Sequence, residues 1–371
     1  IKNTLIGSLA GDALTDADFN VGVGYGALGT DTLGSRSVAI GTNALTTQNF
    51  TTATDAYNTA VGFDTGQLIT TGILNTLIGA SAGAALTSGN SNTAVGRLAL
   101  STDTLGDTST AIGIHALKNQ NFTTSTDSYN TAVGAFAGEA VTVGTLNTIV
   151  GGASAAALQN GVRNAAVGYA ALGSATSSDL CTAIGYAAGF QITTGDNNTA
   201  IGVDALRTGS PGGPATSDSN VVGLGDENIG SLHCQTALTV SSDQRDKTDF
   251  VDLDLGLDFV KGLEPVTYYW DKRSKYGDKY ADDYDLNAQT PDGTHKEDWM
   301  DVGFKAQAVQ ALEEASGYKV GDKKNLTVSV NSDGKQYGLK YEKFIPILVK
   351  AIQDQDALIT ALTNRIAALE G

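Results

Sequence analysis

One stretch of this chain, Ser241-Ser242-Asp243-Gln244-Arg245-Asp246-Lys247, gathers hydroxyls, carboxylates, a guanidinium and an amine within seven residues. A serine beside an amine base is the material of nucleophilic catalysis. Taken alone, a Ser and a Lys five apart form a weak pattern, and a charged linker accounts for it equally well. Other chemistry-bearing residues are sparse. His115, His233 and His295 are scattered without ligand spacing, and His115 reads as a surface residue. Cys181 and Cys234 stand 53 residues apart, which argues against a disulfide or a metal site. The acidic stretch from Asp278 to Asp301 lacks the spacing of a calcium loop and reads as a solvated insertion. Gly24-Tyr25-Gly26-Ala27-Leu28-Gly29 matches a dinucleotide fingerprint, but no βαβ unit surrounds it and a repeat explains its glycines. No metal site and no cofactor is implied.

The repeat is the frame that must carry these groups. Thirteen Ile-Gly or Val-Gly steps have their glycines at Gly7, Gly24, Gly41, Gly62, Gly79, Gly96, Gly113, Gly134, Gly151, Gly168, Gly185, Gly202 and Gly223, spaced by 17 or 21 residues. So short a period marks a solenoid of stacked coils. Four residues before each glycine stands Asn, Ser or, once, Cys181, which suits a turn or a side-chain ladder. The consensus Asn-Thr-Ala-(Ile/Val)-Gly-x-x-Ala-(Leu/Gly) predicts a short strand with its branched residue inward, then a second strand built on Ala and Leu. Thirteen rungs at the ~4.8 Å strand spacing make a rod roughly 60 Å long. A roll this thin buries little apolar surface, so several chains are expected to associate.

Three coils carry longer turns. Thr46 to Tyr57 and Lys118 to Tyr129 are nearly identical and 72 residues apart, as expected of a duplicated four-coil block. Phe50 and Phe122 within them are read as packing over the roll rather than as receptor contacts. The third, Arg207 to Asp218, is a Gly/Pro loop.

After Gly230 the glycine pattern stops, and from Asp243 charge becomes dense. The predicted organisation is a repeat shaft over 1–223, a neck over 224–241 and a distinct α+β domain over 242–371. In the last, Leu257 to Trp270 reads as a short helix then a β-run opened by Pro265, and Gly303 to Ala315 as a strand end leading into a helix. From Ile345 the chain reads as a helix ending in a coiled coil, about 345–370. Its a positions are Ile345, Ile352, Ile359 and Ile366, and its d positions Leu348, Gln355, Leu362 and Leu369. Packing of the first half of that helix on its own domain stays open.

Of 371 residues 45 are Gly and one, Met300, is Met, so a fragment or processed product is expected. Residues 1–241 carry a net charge of −10 and residues 242–371 one of −7, which makes nucleic acid a poor partner. No apolar run approaches 18 residues, so neither a membrane span nor a signal peptide is read.

Asn130-Thr131-Ala132-Val133-Gly134 and Thr182-Ala183-Ile184-Gly185-Tyr186-Ala187-Ala188-Gly189 resemble the head repeats of trimeric autotransporter adhesins of the YadA type, repeats also similar to those of bacteriophage tail fibres. The resemblance covers nearly all of 1–223 and implies a left-handed parallel β-roll of three identical chains. The stretch from Ser242 to Lys247, followed by Leu263-Glu264-Pro265-Val266, Gly303-Phe304, Ala306-Gln307 and the terminal heptads, resembles the intramolecular chaperone domain of phage tail fibres and tailspikes, peptidase family S74. Ala308 stands where an acidic residue is common. That resemblance implies Ser242 as nucleophile and Lys247 as general base, with cleavage between Ser241 and Ser242. It gives Asp243 a role in orienting the turn, and Arg245 a role beside the lysine or the oxyanion. A lysine serves as a base when burial or a positive neighbour lowers its pKa.

The expected function is thus a virion tail fibre, assembled as a homotrimer in the host cytoplasm, attached to other tail proteins and directed at a host receptor such as a glycan. The alternative is a bacterial surface adhesin or structural fibre whose terminal domain trimerises without cutting. The missing membrane anchor weighs against a self-anchored adhesin. A glycan-cleaving enzyme lacks support, since 1–241 shows no paired-carboxylate cluster.

Overall fold

Each Thr-Ala-Val segment is too short to be stable alone, and each finds its partner one coil away. In the computed structural model, which describes residues 2–235, 240–281, 283–322, 324, 326–331 and 333–370, thirteen three-residue strands from Thr4–Ile6 to Val222–Leu224 form one parallel sheet in strict chain order. Like pairs with like along it: Thr59 lies opposite Thr76, Ala60 opposite Leu77 and Val61 opposite Ile78. This is a parallel β-solenoid, and the chain divides into two compact units, Ile1–Asp226 and Glu227–Gly371. Part of the expected neck, 236–239, lies outside the described residues.

The inward residue of each strand is the central one, against expectation. Ala39, Ala60, Ala94, Ala111, Ala132 and Ala183 are fully buried, whereas Ile40, Ile112 and Ile184 are 39%, 38% and 43% exposed. Alternation along a strand leaves one choice of face. The corner that follows decides it: the glycine after the branched residue takes a φ near +137° at Gly41, where a Cβ would sit 2.2 Å from the Gly62 carbonyl oxygen. The stacked glycine corners set which face turns inward, so the central residue is buried whether it is Ala, as in most coils, or Leu77 or Ile149.

Among the described residues the second strand is also absent. The Ala-Leu half is a run of turns in which left-handed residues recur two apart, as at Asn43 (φ 57°) and Leu45 (φ 50°). They curl the chain round a thin core that an extended strand would overshoot. Rung-to-rung hydrogen bonding continues there without a strand, as when Leu28 N–H donates to the Ala44 carbonyl at 3.1 Å.

The polar position before each strand is a buried ladder. Asn58 Oδ1 accepts from Asn75 N–H at 2.9 Å, and Asn75 Oδ1 from Asn92 N–H at 3.0 Å. The ladder also corrects the last step. Ala200 pairs with Gly223 and Ile201 with Leu224, so the glycine matching Gly202 is Gly225 and the final spacing is 23 residues. Val221, not Ser219, takes the asparagine position, its N–H donating to Asn198 Oδ1 at 2.9 Å.

The near-identical loops bury Phe50 and Phe122. Beneath them the duplication extends to a polar plug. Asp31 accepts from Gly34 N–H, Phe50 N–H and Gln48 Nε2, and Asp103 from Gly106 N–H, Phe122 N–H and Gln120 Nε2. His115 is half-buried rather than a plain surface residue, with Nδ1 2.9 Å from Glu139 Oε1 and its ring edge-on to Phe136.

The second unit is a small α/β region around Leu255, Phe259, Val309, Val328, Phe344 and Ile347. Helix α1 (Leu257–Gly262) leads to the strand Val266–Tyr268, antiparallel to Asp301–Gly303, which opens helix α2 (Ala306–Ala315). A hairpin of Val328–Val330 and Tyr337–Leu339 precedes helix α3 (Phe344–Glu370). Glu313 of α2 is buried and accepts from Thr327 N–H at 2.6 Å, tying α2 to the hairpin. The first half of α3 packs on this unit through Phe344, Ile347 and Ala351, while every apolar a and d residue is exposed. Among the described residues no helix is long and apolar enough to cross a membrane.

Candidate active site

Four residues separate Ser242 from Lys247, too many for neighbours on an extended chain. A single 3₁₀ turn, Gln244–Asp246, closes the distance. Asp243 caps it, its carboxylate accepting from Arg245 N–H at 2.9 Å, and Lys247 N–H donates to the Gln244 carbonyl at 3.2 Å. The chain thereby reverses, and Lys247 Nζ lies 2.5 Å from Ser242 Oγ and 3.3 Å from the Ser242 carbonyl oxygen. Amine and hydroxyl are within hydrogen-bonding reach, the geometry that proton transfer between them requires.

Arg245 turns to Asp243. Its Nη2 lies 2.7 Å and its Nε 3.1 Å from the Asp243 carboxylate, a two-pronged pair. The guanidinium holds the Asp243 carboxyl below the usual carboxylate range, helped by the Arg245 N–H, and Asp243 in turn raises the guanidinium. Arg245 thus pairs through both its backbone N–H and its guanidinium with the residue that caps the turn. Burial and a positive neighbour are what activate a lysine base. In the single chain Ser241, Ser242, Asp243, Arg245 and Lys247 are all exposed.

The later motifs meet in space. Val266 pairs with Gly303 across the antiparallel strands. Leu263, Glu264, Phe304, Lys305, Val309 and Leu312 line a groove of about 280 Å³, and Ala308 lies along it. Gly262 is close-packed there, since a Cβ would reach 2.9 Å from Leu312 Cδ2. The described part of the acidic stretch of 278–301 is made of turns and one short 3₁₀ helix, Leu286–Ala288, with Asp285 held by Lys335 at 2.8 Å and Asp292 capping Thr294. Asp282 lies outside the described residues. Among the described residues no group of three or more His, Cys, Asp or Glu could hold a metal ion.

Sequence reasoning missed Glu227, which stands in the expected neck and is buried against Lys279. A lone acidic residue in a linker carries no signal of that. It also missed the Asp31 and Asp103 plugs, for which the 72-residue recurrence of Asp, Ser, Gln and Asn was a usable sign.

Residues 242–318 match the peptidase S74 family model, described as chaperone of endosialidase. The match begins at Ser242 itself. No curated protein and no solved structure matches the chain. A parallel β-solenoid followed by a region that matches this family model fits a phage tail fibre with a C-terminal chaperone domain. Peptidase S74 is a family of self-cleaving intramolecular chaperones, and such a domain implies assembly as a trimer.

Proposed function

We propose that this chain is one strand of a homotrimeric bacteriophage tail fibre, whose C-terminal domain aligns three shafts and then releases itself by one cut between Ser241 and Ser242. The observation that carries the reading is the contact of Lys247 Nζ with Ser242 Oγ at the first residue of the family match. In the reaction Oγ attacks the Ser241 carbonyl carbon and its proton passes to the Lys247 amine. The peptide C–N bond breaks as its nitrogen takes a proton, leaving an ester of Ser241 on Ser242 Oγ. Water hydrolyses the ester to a carboxylate at Ser241, and Ser242 regains its hydroxyl behind a new α-amine. Enclosure of the segment on assembly would supply the burial that a lysine base needs.

The shaft supplies the reason for such a device. A uniform repeat can stack out of register, and non-local parallel pairing is slow. The row of exposed Ile and Val on the sheet and the exposed a and d stripe of α3 both suit burial against copies of the chain. Cutting the aligning domain away makes stability kinetic, since an unfolded shaft has lost its guide. We place the mature fibre on the virion, assembled in the host cytoplasm, joined to other tail proteins and presenting its shaft to a host-surface receptor such as a glycan.

The test is Ser242→Ala in the full chain. The parent is expected to give two fragments on a denaturing gel and the variant one; two fragments from the variant overturn the assignment. A second reading, a fibre or adhesin whose domain trimerises without cutting, is favoured by the exposure of both dyad side chains in the single chain. An uncut parent would establish it.

A further inference from the structure

The compact C-terminal unit begins at Glu227, fifteen residues before Ser242. It therefore straddles the proposed cut. Residues 228–235 are exposed, yet Glu227 is only 7% exposed. Its Oε1 lies 2.9 Å from Lys279 Nζ, with the two side chains 6% and 14% exposed, and its carbonyl accepts from Lys272 Nζ at 2.8 Å. Lys272 is itself held by Glu297 at 3.3 Å. The Tyr284 hydroxyl is buried, and burial and then the Glu227 charge raise its pKa. Among the described residues, the groups that hold Glu227, Lys272 and Lys279, lie C-terminal to Ser242, while Glu227 lies before it.

We infer that Glu227 is a latch that keeps the shaft fragment bound to the chaperone fragment after cleavage, the Lys272–Lys279 socket gripping the tail of the piece just cut away. The inference rests on the proposed cut at Ser241–Ser242. Cleavage and release are then separate events, and the partner of this surface is the chain's own new C-terminal segment, recognised by one carboxylate and one carbonyl. A charge pair this buried is weakly screened by salt, and removing one member leaves the other buried and unpaired.

The experiment follows cleaved full-length protein by size exclusion, with a denaturing gel of each fraction. The parent is expected to run as one species containing both fragments. Glu227→Gln and Lys279→Met are expected to cut to the same extent, which reports a folded domain, but to shed the chaperone fragment at least roughly tenfold faster. Lys261→Met, on an exposed pair with Asp258, is expected to behave as the parent. Parent fragments that separate at once overturn the latch, as do variants that shed no faster than the parent. If the parent does not cut itself, the reading of Ser242 fails. The latch is then tested in the same full chain with a site-specific protease sequence inserted between Ser241 and Ser242 and cut by the added protease, and the same two outcomes decide it.

Discussion

Replacing Ile359 by Asp tests whether α3 drives assembly. Ile359 is 54% exposed in the single chain, at an a position of a stripe that also exposes Ile352, Leu362 and Ile366. Full burial of an isoleucine is worth about 1.5–3 kcal/mol, so covering the exposed half contributes about 0.8–1.5 kcal/mol. Three copies meet at one layer, and losing all three costs the trimer about 2.3–4.5 kcal/mol, a weakening of roughly fifty- to two-thousandfold. Three carboxylates brought together in that layer add to this, so the figure is a lower bound. The assay is sedimentation equilibrium of the full chain over a range of concentrations, in the Ser242→Ala background to hold the domain in place. Asn364→Asp, at the f position of the same helix, is the control and is expected to leave association unchanged. An Ile359→Asp chain that trimerises as tightly as the control would refute the reasoning.

The remaining expectations concern the two units separately. Gly113→Ala puts a Cβ 2.3 Å from the Gly134 carbonyl oxygen at φ +137°, so it is expected to cost the shaft at least about 1–3 kcal/mol, read as a lower thermal midpoint. Asp103→Asn replaces an acceptor-only carboxylate that takes bonds from Gly106, Phe122 and Gln120, and is expected to cost about 1–3 kcal/mol in denaturant unfolding, with Asp31→Asn doing the same. The Asp354 carboxyl is lowered by Lys350 and then by the Leu257 N–H. A folded-state pKa depressed below the unfolded one contributes stability present above the unfolded value, 3.8, and lost as pH falls through the folded one. Acid titration of the second unit by circular dichroism should therefore show a loss below about pH 4 that is smaller in Asp354→Asn.

The period was legible because every coil must repeat the same corner, and the asparagine ladder because each coil must satisfy the same buried backbone. Hydropathy misassigned the inward residue: it favours Ile over Ala, whereas the glycine corner after the branched residue fixes the facing and turns Ala60 and its equivalents, Leu77 and Ile149 among them, inward. The second strand was misread because left-handed leucines such as Leu45 are invisible in composition. The last step was set at Gly223 rather than Gly225 because Val222-Gly223 mimics the repeat, and only pairing with Ala200 removes the ambiguity. At the site, the spacing of Ser242 and Lys247 was legible, but the commitment of Arg245 to Asp243 and the burial of Glu227 depend on where side chains turn.

The central claim, that this chain cuts itself once at Ser242, is tested most directly by intact mass. Freshly expressed and aged protein should give two masses, those of residues 1–241 and 242–371, with Ser242→Ala and Lys247→Met each remaining at the mass of the uncut 371-residue chain. A parent that stays whole, a cut at another bond, or a cut that survives either substitution would contradict it.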